Sequence, residues 1–395
     1  MKFIENQEKY GLIYDLKKIS KLYNKLKIPV EFDFVDFGRI EENKYIIDMS
    51  ERTLGKTTDY LLLGLCFNKL YGTKIAYIRT TDDMIKKTYV EKMLETINTY
   101  NDGHYIKVLT DNQYNGTYYH NKALYYARYE DGVLIDKSEN AFMLFLSCDR
   151  HEVVKSTLNE PLLDFIIYDE FISKYYTYNS CFMFMDLLST IIRKRKSPII
   201  FMLANNLNIN SPWFEELTIQ KDIRHIKRGQ TINITTEQGT KFSVRLMSNT
   251  KSEEKKEHNK LFFGLNNPKL NSITGQGDWS VEQVQHIYKD MKYKLINKPF
   301  FIRNTINEFI RFQFAIYQNR LIMIVNRATK ILDNDIVFTL KSIDEFNNCY
   351  FGFGSKKLEN KIRDLINTNS IYYSTNEVGA DFLNYCYMVY NYKKF

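Results

Sequence analysis

The sequence predicts an α/β protein, a three-layer sandwich around a mostly parallel sheet, followed by a small α+β domain. Three observations carry this. Through residue 205, short apolar runs alternate with helical stretches, as strands joined by crossover helices do. Those runs are continuously apolar, as expected of strands covered on both faces. Beyond about residue 250 the pattern turns to polar loop and then to paired strands.

The elements follow in order. Residues 8–27 place Tyr14, Leu16, Ile19, Leu22 and Leu26 on one helical face, and Pro29 ends the helix. Residues 45–49 (YIIDM) read as a buried strand, and residues 58–70 as a helix. Residues 74–79 (KIAYIR) form a second strand, and 82–100 a second crossover helix. Residues 101–140 are polar and Tyr-rich and read as hairpins or an insertion. Strands follow at 141–147 (AFMLFLS), 163–168 and 198–204 (PIIFMLA), with a helix at 182–192. Residues 231–248 read as two strands around Gln238-Gly239. The charge run at 251–258 and the Asn/Gly/Ser-rich stretch 264–279 mark a hinge. From 299 the chain reads as strands turning at Gln318-Asn319 and Asp333-Asn334, then helices near 355–369 and 376–391. The expected domains are 1–248, a linker at 249–292, and 293–395.

Composition narrows the class. At 395 residues the chain has room for two or three domains. With 44% hydrophobic and 26% charged residues it is neither a disordered chain nor a membrane-spanning one. No apolar run approaches the ~18–20 residues that span a bilayer, and Phe3-Ile4 gives way at once to Glu5, unlike a signal peptide. Five scattered cysteines without a C-x-x-C pair argue for reduced thiols and an intracellular protein. The formal charge of +8 is unevenly placed: residues 1–210 balance at 28 basic and 28 acidic, whereas 211–395 carry 27 against 19. Such an excess suits contact with phosphate backbones, and equally a lysine-rich solvated surface.

The strongest motif is Ser50-Glu51-Arg52-Thr53-Leu54-Gly55-Lys56-Thr57, between an apolar strand and a helix that opens with Thr58. A phosphate-binding loop needs backbone N–H groups wrapped at a helix N-terminus, a Lys for the β/γ-phosphates and a hydroxyl for Mg²⁺. Gly55, Lys56 and Thr57 supply that end. Ser50 replaces the usual first glycine, which is tolerable where φ stays negative. The second motif is Phe165-Ile-Ile-Tyr-Asp169-Glu170-Phe171. An apolar strand tipped by two carboxylates offers Asp169 to Mg²⁺ and Glu170 to an attacking water. Together the two motifs predict a P-loop NTPase of the ASCE type that hydrolyses ATP with Glu170 as base. Further on, Arg193-Lys194-Arg195-Lys196 closes a helix. It reads either as an answer to the helix dipole or as an arginine finger for a neighbouring subunit. The strand ending in Asn205 suits a polar sensor beside the γ-phosphate.

This order of parts resembles the DNA-packaging ATPases of small protein-primed tailed phages, the phi29-like group, related to large terminases. The residues that carry the resemblance are S-E-R-T-L-G-K-T with Arg52 inside the loop, the strand ending at Arg79, I-I-Y-D-E-F, and M-D-L-L-S-T-I-I-R-K-R followed by F-M-L-A-N-N and N-S-P-W-F. It spans roughly residues 45–215. The resemblance implies that Lys56 and Thr57 hold phosphate and Mg²⁺. It implies that Asp169 is the metal-side acid and Glu170 the base, that Arg193 is the trans-acting finger with Arg195 second, and that Asn205 is the sensor. Lys155 falls near a lysine that reaches across the subunit interface, after a one-residue shift in alignment. The implied protein is a homomeric ring, usually a pentamer, that drives double-stranded DNA into a procapsid through its portal. It would act in the host cytoplasm, transiently at the portal vertex. A structural RNA is a further candidate partner, and no membrane is involved.

The resemblance also implies a degenerate RNase H-like C-terminal domain. A two-metal nuclease needs several converging carboxylates. The strands between 299 and 340 offer Glu308, Asp333 and Asp335, the last two in a turn. A binding domain without nuclease chemistry is therefore expected. The six histidines show no metal spacing. Alternative readings are another ring-forming P-loop translocase or helicase, and an ATP-binding assembly factor with little turnover.

Overall fold

The computed structural model describes residues 14–26, 34–50, 55–99, 104–158, 160–172, 179–205, 211–227, 229–247, 286–304, 308–340 and 348–391. Described residues up to 172, from 179 to 205 and from 226 to 247 form one unit; those from 211 to 225 and from 286 to 391 form a second. The division differs from a single cut near 249. The stretch between 211 and 225 belongs to the second unit although strands of the first unit precede and follow it. Trp213, Phe214, Ile219 and Ile223 give it the apolar content of a core segment, and all four are buried.

The first unit is built on a ten-stranded sheet: β1 (Tyr45–Met49), β2 (Ile75–Arg79), β3 (Gly116–His120), β4 (Ala123–Glu130), β5 (Val133–Lys137), β6 (Met143–Ser147), β7 (Phe165–Asp169), β8 (Ile199–Ala204), β9 (Thr231–Thr235) and β10 (Lys241–Leu246). Their order is β3-β4-β6-β2-β7-β8-β1-β10-β9, with β5 on β4. The six strands from β6 to β10 in that order run parallel. Hairpin partners complete both edges in antiparallel sense. The Tyr-rich region is thus a helix, His104–Leu109, followed by the β3–β4–β5 ribbon. The helix escapes a composition reading because His104–Leu109 is only six residues long.

Helix Lys56–Tyr71 lies on the sheet as its most apolar cover, with Tyr60 through Leu63, Leu65, Cys66 and Phe67 all buried. A sheet-covering helix of this kind approaches closely where a side chain is missing. A Cβ on Gly64 would stand 2.8 Å from Ile75 Cδ1, so glycine sets the helix–sheet distance there. Beside this helix, in β1, Asp48 is fully buried. Arg39 donates to it at 2.7 Å, Arg245 at 2.8 and 3.1 Å, and the Tyr60 hydroxyl at 2.5 Å. Arg39 also donates to the Ser243 hydroxyl at 2.8 Å. The cluster ties β1 to β10 and to the helices Phe37–Glu42 and Lys56–Tyr71.

The second unit has a seven-stranded sheet: β11 (Lys294–Leu295), β12 (Phe300–Arg303), β13 (Phe309–Tyr317), β14 (Arg320–Ala328), β15 (Ile336–Thr339), β16 (Cys349–Phe351) and β17 (Ile371–Tyr373). The order is β16-β15-β12-β13-β14-β17, with β11 on β13. β12, β13 and β14 form an antiparallel meander; β15 and β16 extend it parallel to β12, and β17 parallel to β14. Gln318 and Asn319, at φ 47° and 57°, close the β13–β14 hairpin, a two-residue turn whose twist matches the strands. Helix Asn376–Asn391 buries Phe382, Tyr385 and Cys386. Among the described residues no helix is long and apolar enough to cross a membrane.

The Asp48 cluster generates a pH prediction. Burial alone would raise the Asp48 carboxyl, but Arg39 and Arg245 overcome it and hold the group down at about 2. A depressed folded value adds stability above the unfolded value, and that stability is lost as pH falls through the folded one. The contribution is about 2 kcal/mol. Denaturant melts should show it present at pH 5 and lost between about pH 4 and 2. Asp48→Asn should remove this dependence and destabilise the chain by about 3 kcal/mol, because two guanidiniums stay buried without their anion.

Candidate active site

The strands β1, β8, β7 and β2 lie side by side, and their carboxyl ends bring the predicted motifs together. Asp48 pairs in register with Leu203, and Leu203 with Asp169. Ile78 pairs with Tyr168, which sets Arg79 beside Asp169. The residues just past these ends are Ser50, Asn205 and Glu170, and the crevice outside the carboxyl ends of parallel strands is where α/β sheets bind ligands.

Gly55 has φ 86° and ψ 8°, a left-handed conformation that turns the chain into helix Lys56–Tyr71. The helix therefore begins at Lys56, and the first N–H groups of any helix have no intrahelical acceptors. Ser50 is not among the described residues with positive φ, so serine stands without strain where the motif has glycine. Its hydroxyl accepts from the Lys56 ammonium at 2.5 Å. Lys56 also donates to Asn205 Oδ1 at 2.8 Å. Burial pushes the Lys56 ammonium down to about 8, against the pull of Asp169, Asp48 and Glu170. A cation held with so little water is ready to accept an anion.

Two carboxylates face it. Asp169 accepts from the Thr57 hydroxyl at 3.1 Å and from the Tyr77 hydroxyl at 2.6 Å. Glu170 has φ 54°, a left-handed conformation that ends the extended run of β7. Glu170 accepts from Asn205 Nδ2 at 2.8 Å. Arg79 bridges the pair, donating to Asp169 at 3.2 Å and to Glu170 at 2.6 Å. Lys56, Thr57, Asp169, Glu170 and Asn205 thus form one network with Ser50, Tyr77 and Arg79. Thr58 follows in the first turn of the helix. Glu51, Arg52, Thr53 and Leu54 lie outside the described residues.

The donor set fits a magnesium nucleotide. A buried ammonium and helix-start N–H groups suit phosphate, and a hydroxyl hydrogen-bonded to a carboxylate is the usual oxygen pair offered to Mg²⁺. Sequence reasoning used Arg79 only as a mark of resemblance and missed Tyr77. The available signal was an arginine at the carboxyl end of a parallel strand.

The other predicted residues lie elsewhere. Lys155, on helix His151–Thr157, pairs with Asp186 at 3.0 Å. Arg195 pairs with Asp164 and donates to the carbonyls of Leu163 and Ile191. Asp164 precedes β7, so Arg195 stands about 16 Å along that strand from Asp169. Its guanidinium is committed to joining a helix end to a strand start. Arg193 is exposed, with φ 50°, and donates to the Leu158 carbonyl at 2.8 Å. It follows the helix Ser180–Ile192 into the turn before β8, at the end of the sheet opposite the crevice, so it cannot reach the Lys56 site of its own chain.

No protein-family model matches the sequence, and no curated protein matches it. Among solved structures the fold is similar to the Phi-28 gp11 DNA packaging motor, with a TM-score of 0.57 and 16% identity over 90% of this chain and 96% of that one. It is also similar to the bacteriophage Phi-29 viral genome packaging motor assembly, with a TM-score of 0.51 and 16% identity over 89% of this chain and 97% of that one. These likenesses concern the fold, and they point to the same group that the sequence motifs resemble.

The loop geometry separates two substitutions. Gly55→Ala forces a left-handed alanine and should weaken nucleotide binding by at least about tenfold. Ser50→Gly keeps the backbone and loses one hydrogen bond, so binding should change by less than about threefold. Titration of each variant with a fluorescent ATP analogue measures both.

Proposed function

We propose that this chain is an ATP-driven motor that moves double-stranded viral DNA into a preformed procapsid, hydrolysing ATP at the interfaces of a homomeric ring. The observation that carries the reading is the single network joining Lys56, Thr57, Asp169, Glu170 and Asn205 at a phosphate loop. The likeness of fold to packaging motors over nine-tenths of the chain supports it.

In this reading Lys56 and the first amides of helix Lys56–Tyr71 hold the β- and γ-phosphates. Thr57 and Asp169 hold Mg²⁺. Bound MgATP would supply a γ-phosphorus that water can attack, with the bond to the β,γ-bridging oxygen breaking to release ADP and phosphate. Glu170 takes the proton of that water, which requires it to let go of Asn205 and Arg79. Asn205 shares its amide between Lys56 and Glu170, so a phosphate that engages Lys56 disturbs the bond that restrains the base. Arg193, exposed and at the opposite end of the sheet, serves the site of a neighbouring copy, where a guanidinium stabilises transition-state charge. Arg195, bound within its own chain, is left out of that role. Lys155 would have to release Asp186 to reach a neighbour.

The second unit is read as the nuclease-like domain that the resemblance implies, with its mixed sheet in support. Its cationic excess is assigned to DNA backbone, portal or a structural RNA. The ring, a pentamer in this reading, works at the portal vertex in the host cytoplasm.

Lys56→Ala and Glu170→Gln should both abolish hydrolysis yet differ in binding. The first loses the phosphate cation, and the second retains ATP. Steady-state turnover and equilibrium binding, each with and without duplex DNA, decide the matter. Normal turnover by Glu170→Gln would sink its role as base, and turnover indifferent to DNA would favour the assembly-factor alternative.

Arg193→Ala should lose at least about 10²-fold in turnover. Mixing it with Lys56→Ala subunits should restore part of the activity, because a mixed interface joins an intact Lys56 to an intact Arg193. Mixed rings that assemble and stay inactive would remove the trans assignment.

A further inference from the structure

Asp169, the metal-side acid of the proposed reading, is fastened at one oxygen. Its Oδ2 accepts from the Tyr77 hydroxyl at 2.6 Å, from the Thr57 hydroxyl at 3.1 Å and from the Arg79 guanidinium at 3.2 Å. All three bonds end on Oδ2, and among the described residues no donor ends on Oδ1. A carboxylate oxygen has about two lone-pair directions, so three donors use Oδ2 up. The oxygen left to offer a cation is Oδ1.

The three donors differ in what else they do. Thr57 is itself a candidate ligand for Mg²⁺. Arg79 is shared with Glu170, to which it donates at 2.6 Å. Tyr77 makes the shortest of the three bonds, and the fold sets its place. It lies opposite Ile167 in the β2–β7 pairing. Asp169 is two residues, about 6.6 Å, further along β7. A phenol spans that distance, and the hydroxyl of a serine or threonine does not. The ring is buried and packs edge-on against Phe145 at 5.6 Å, and Phe145 meets Tyr119 of β3 at 5.5 Å. A side chain locked in this way can hold its neighbour to one geometry. A neutral phenol also orients a carboxylate without cancelling the charge that attracts a cation.

We infer that Tyr77 is a positioning residue whose hydroxyl pins Asp169 Oδ2 and thereby keeps Oδ1 presented to Mg²⁺. The inference rests on the reading of Asp169 as the metal-side acid. It gives β2 a part in the site besides Arg79. It also has a consequence that a merely structural hydrogen bond lacks. Mg²⁺ demands near-octahedral geometry, whereas Ca²⁺ accepts many arrangements. Loosening the aim of Asp169 therefore costs Mg²⁺ more than Ca²⁺.

The test uses the full chain and a fluorescent ATP analogue. Binding is measured first in chelator and then in titrations with Mg²⁺ or with Ca²⁺. Tyr77→Phe removes one oxygen atom and keeps the ring. Its metal-free binding should stay within about twofold of the parent, since Thr57 and Arg79 still satisfy Asp169. The Mg²⁺ concentration that half-maximally tightens binding should rise at least about tenfold. The corresponding Ca²⁺ concentration should rise less than about threefold. Asp169→Asn is the control for the underlying reading and should lose most of the Mg²⁺ response. If Asp169→Asn keeps the parent's Mg²⁺ response, the metal-side reading falls and the inference with it. If Asp169→Asn loses that response while Tyr77→Phe keeps it, the inference alone falls. It falls also if Tyr77→Phe weakens Mg²⁺ and Ca²⁺ equally, loses metal-free binding or fails to fold, because each of these marks a structural role.

Discussion

The parallel register of β1, β8, β7 and β2 is the constraint on which the site depends. Hydrogen-bonded strands lie about 4.8 Å apart. The row Asp48, Leu203, Asp169 therefore crosses the sheet in two steps of that size. One residue further along each strand the backbone leaves the sheet, and at that line Ser50, the Asn205 amide and the Glu170 carboxylate emerge together. A slip of one residue in any of these pairings would turn its functional side chain to the opposite face. The apolar runs of β7 and β8, buried on both faces, fix that register by packing Phe165 against Phe201 and Phe67.

Charge is handled in layers behind that line. Asp48 and its arginines lie beneath the loop, dry and fully paired. Arg79 lies at the line itself, between two carboxylates that would otherwise repel. Desolvation opposes its charge, and the neighbouring Tyr77, Asp169 and Glu170 more than restore it. Lys56 is the cation of the group whose charge burial has weakened most clearly. The difference is useful. A guanidinium committed to two acids stays in place, whereas a desolvated ammonium held by a serine and an asparagine gains most from a phosphate.

Much of this was legible in the amino acids. The apolar runs at β1, β7 and β8 and the start of the helix after Gly55 are local signals, and the structure places them within a residue or two of the reading. The short helix His104–Leu109 was hidden by its polar, Tyr-rich surroundings. Arg195 and Lys155 show a harder limit. A cation near a motif looks unpartnered in a string of letters, yet within the chain Arg195 pairs with Asp164 and Lys155 with Asp186, 31 residues away in each case. Arg224 shows the converse. It stood in a segment with no recognised chemistry, and its partners Glu308 and Asp381 were 84 and 157 residues distant. Pairings of that range are set by topology, and no periodicity in the sequence announces them.

The order of β1 in its sheet has a consequence for how the chain comes to life. β1 is the earliest strand in sequence, yet both of its neighbours, β8 and β10, come from residues 199–204 and 241–246. A chain growing on a ribosome makes the phosphate loop early and cannot seat it until some two hundred further residues have emerged. Contacts of such long separation are slow to form, because a large loop must close before they bring any reward. The line of strand ends that carries Ser50, Asn205 and Glu170 is thus complete only once the sheet is whole. A partial chain, however well its later strands pair, has no such crevice in it.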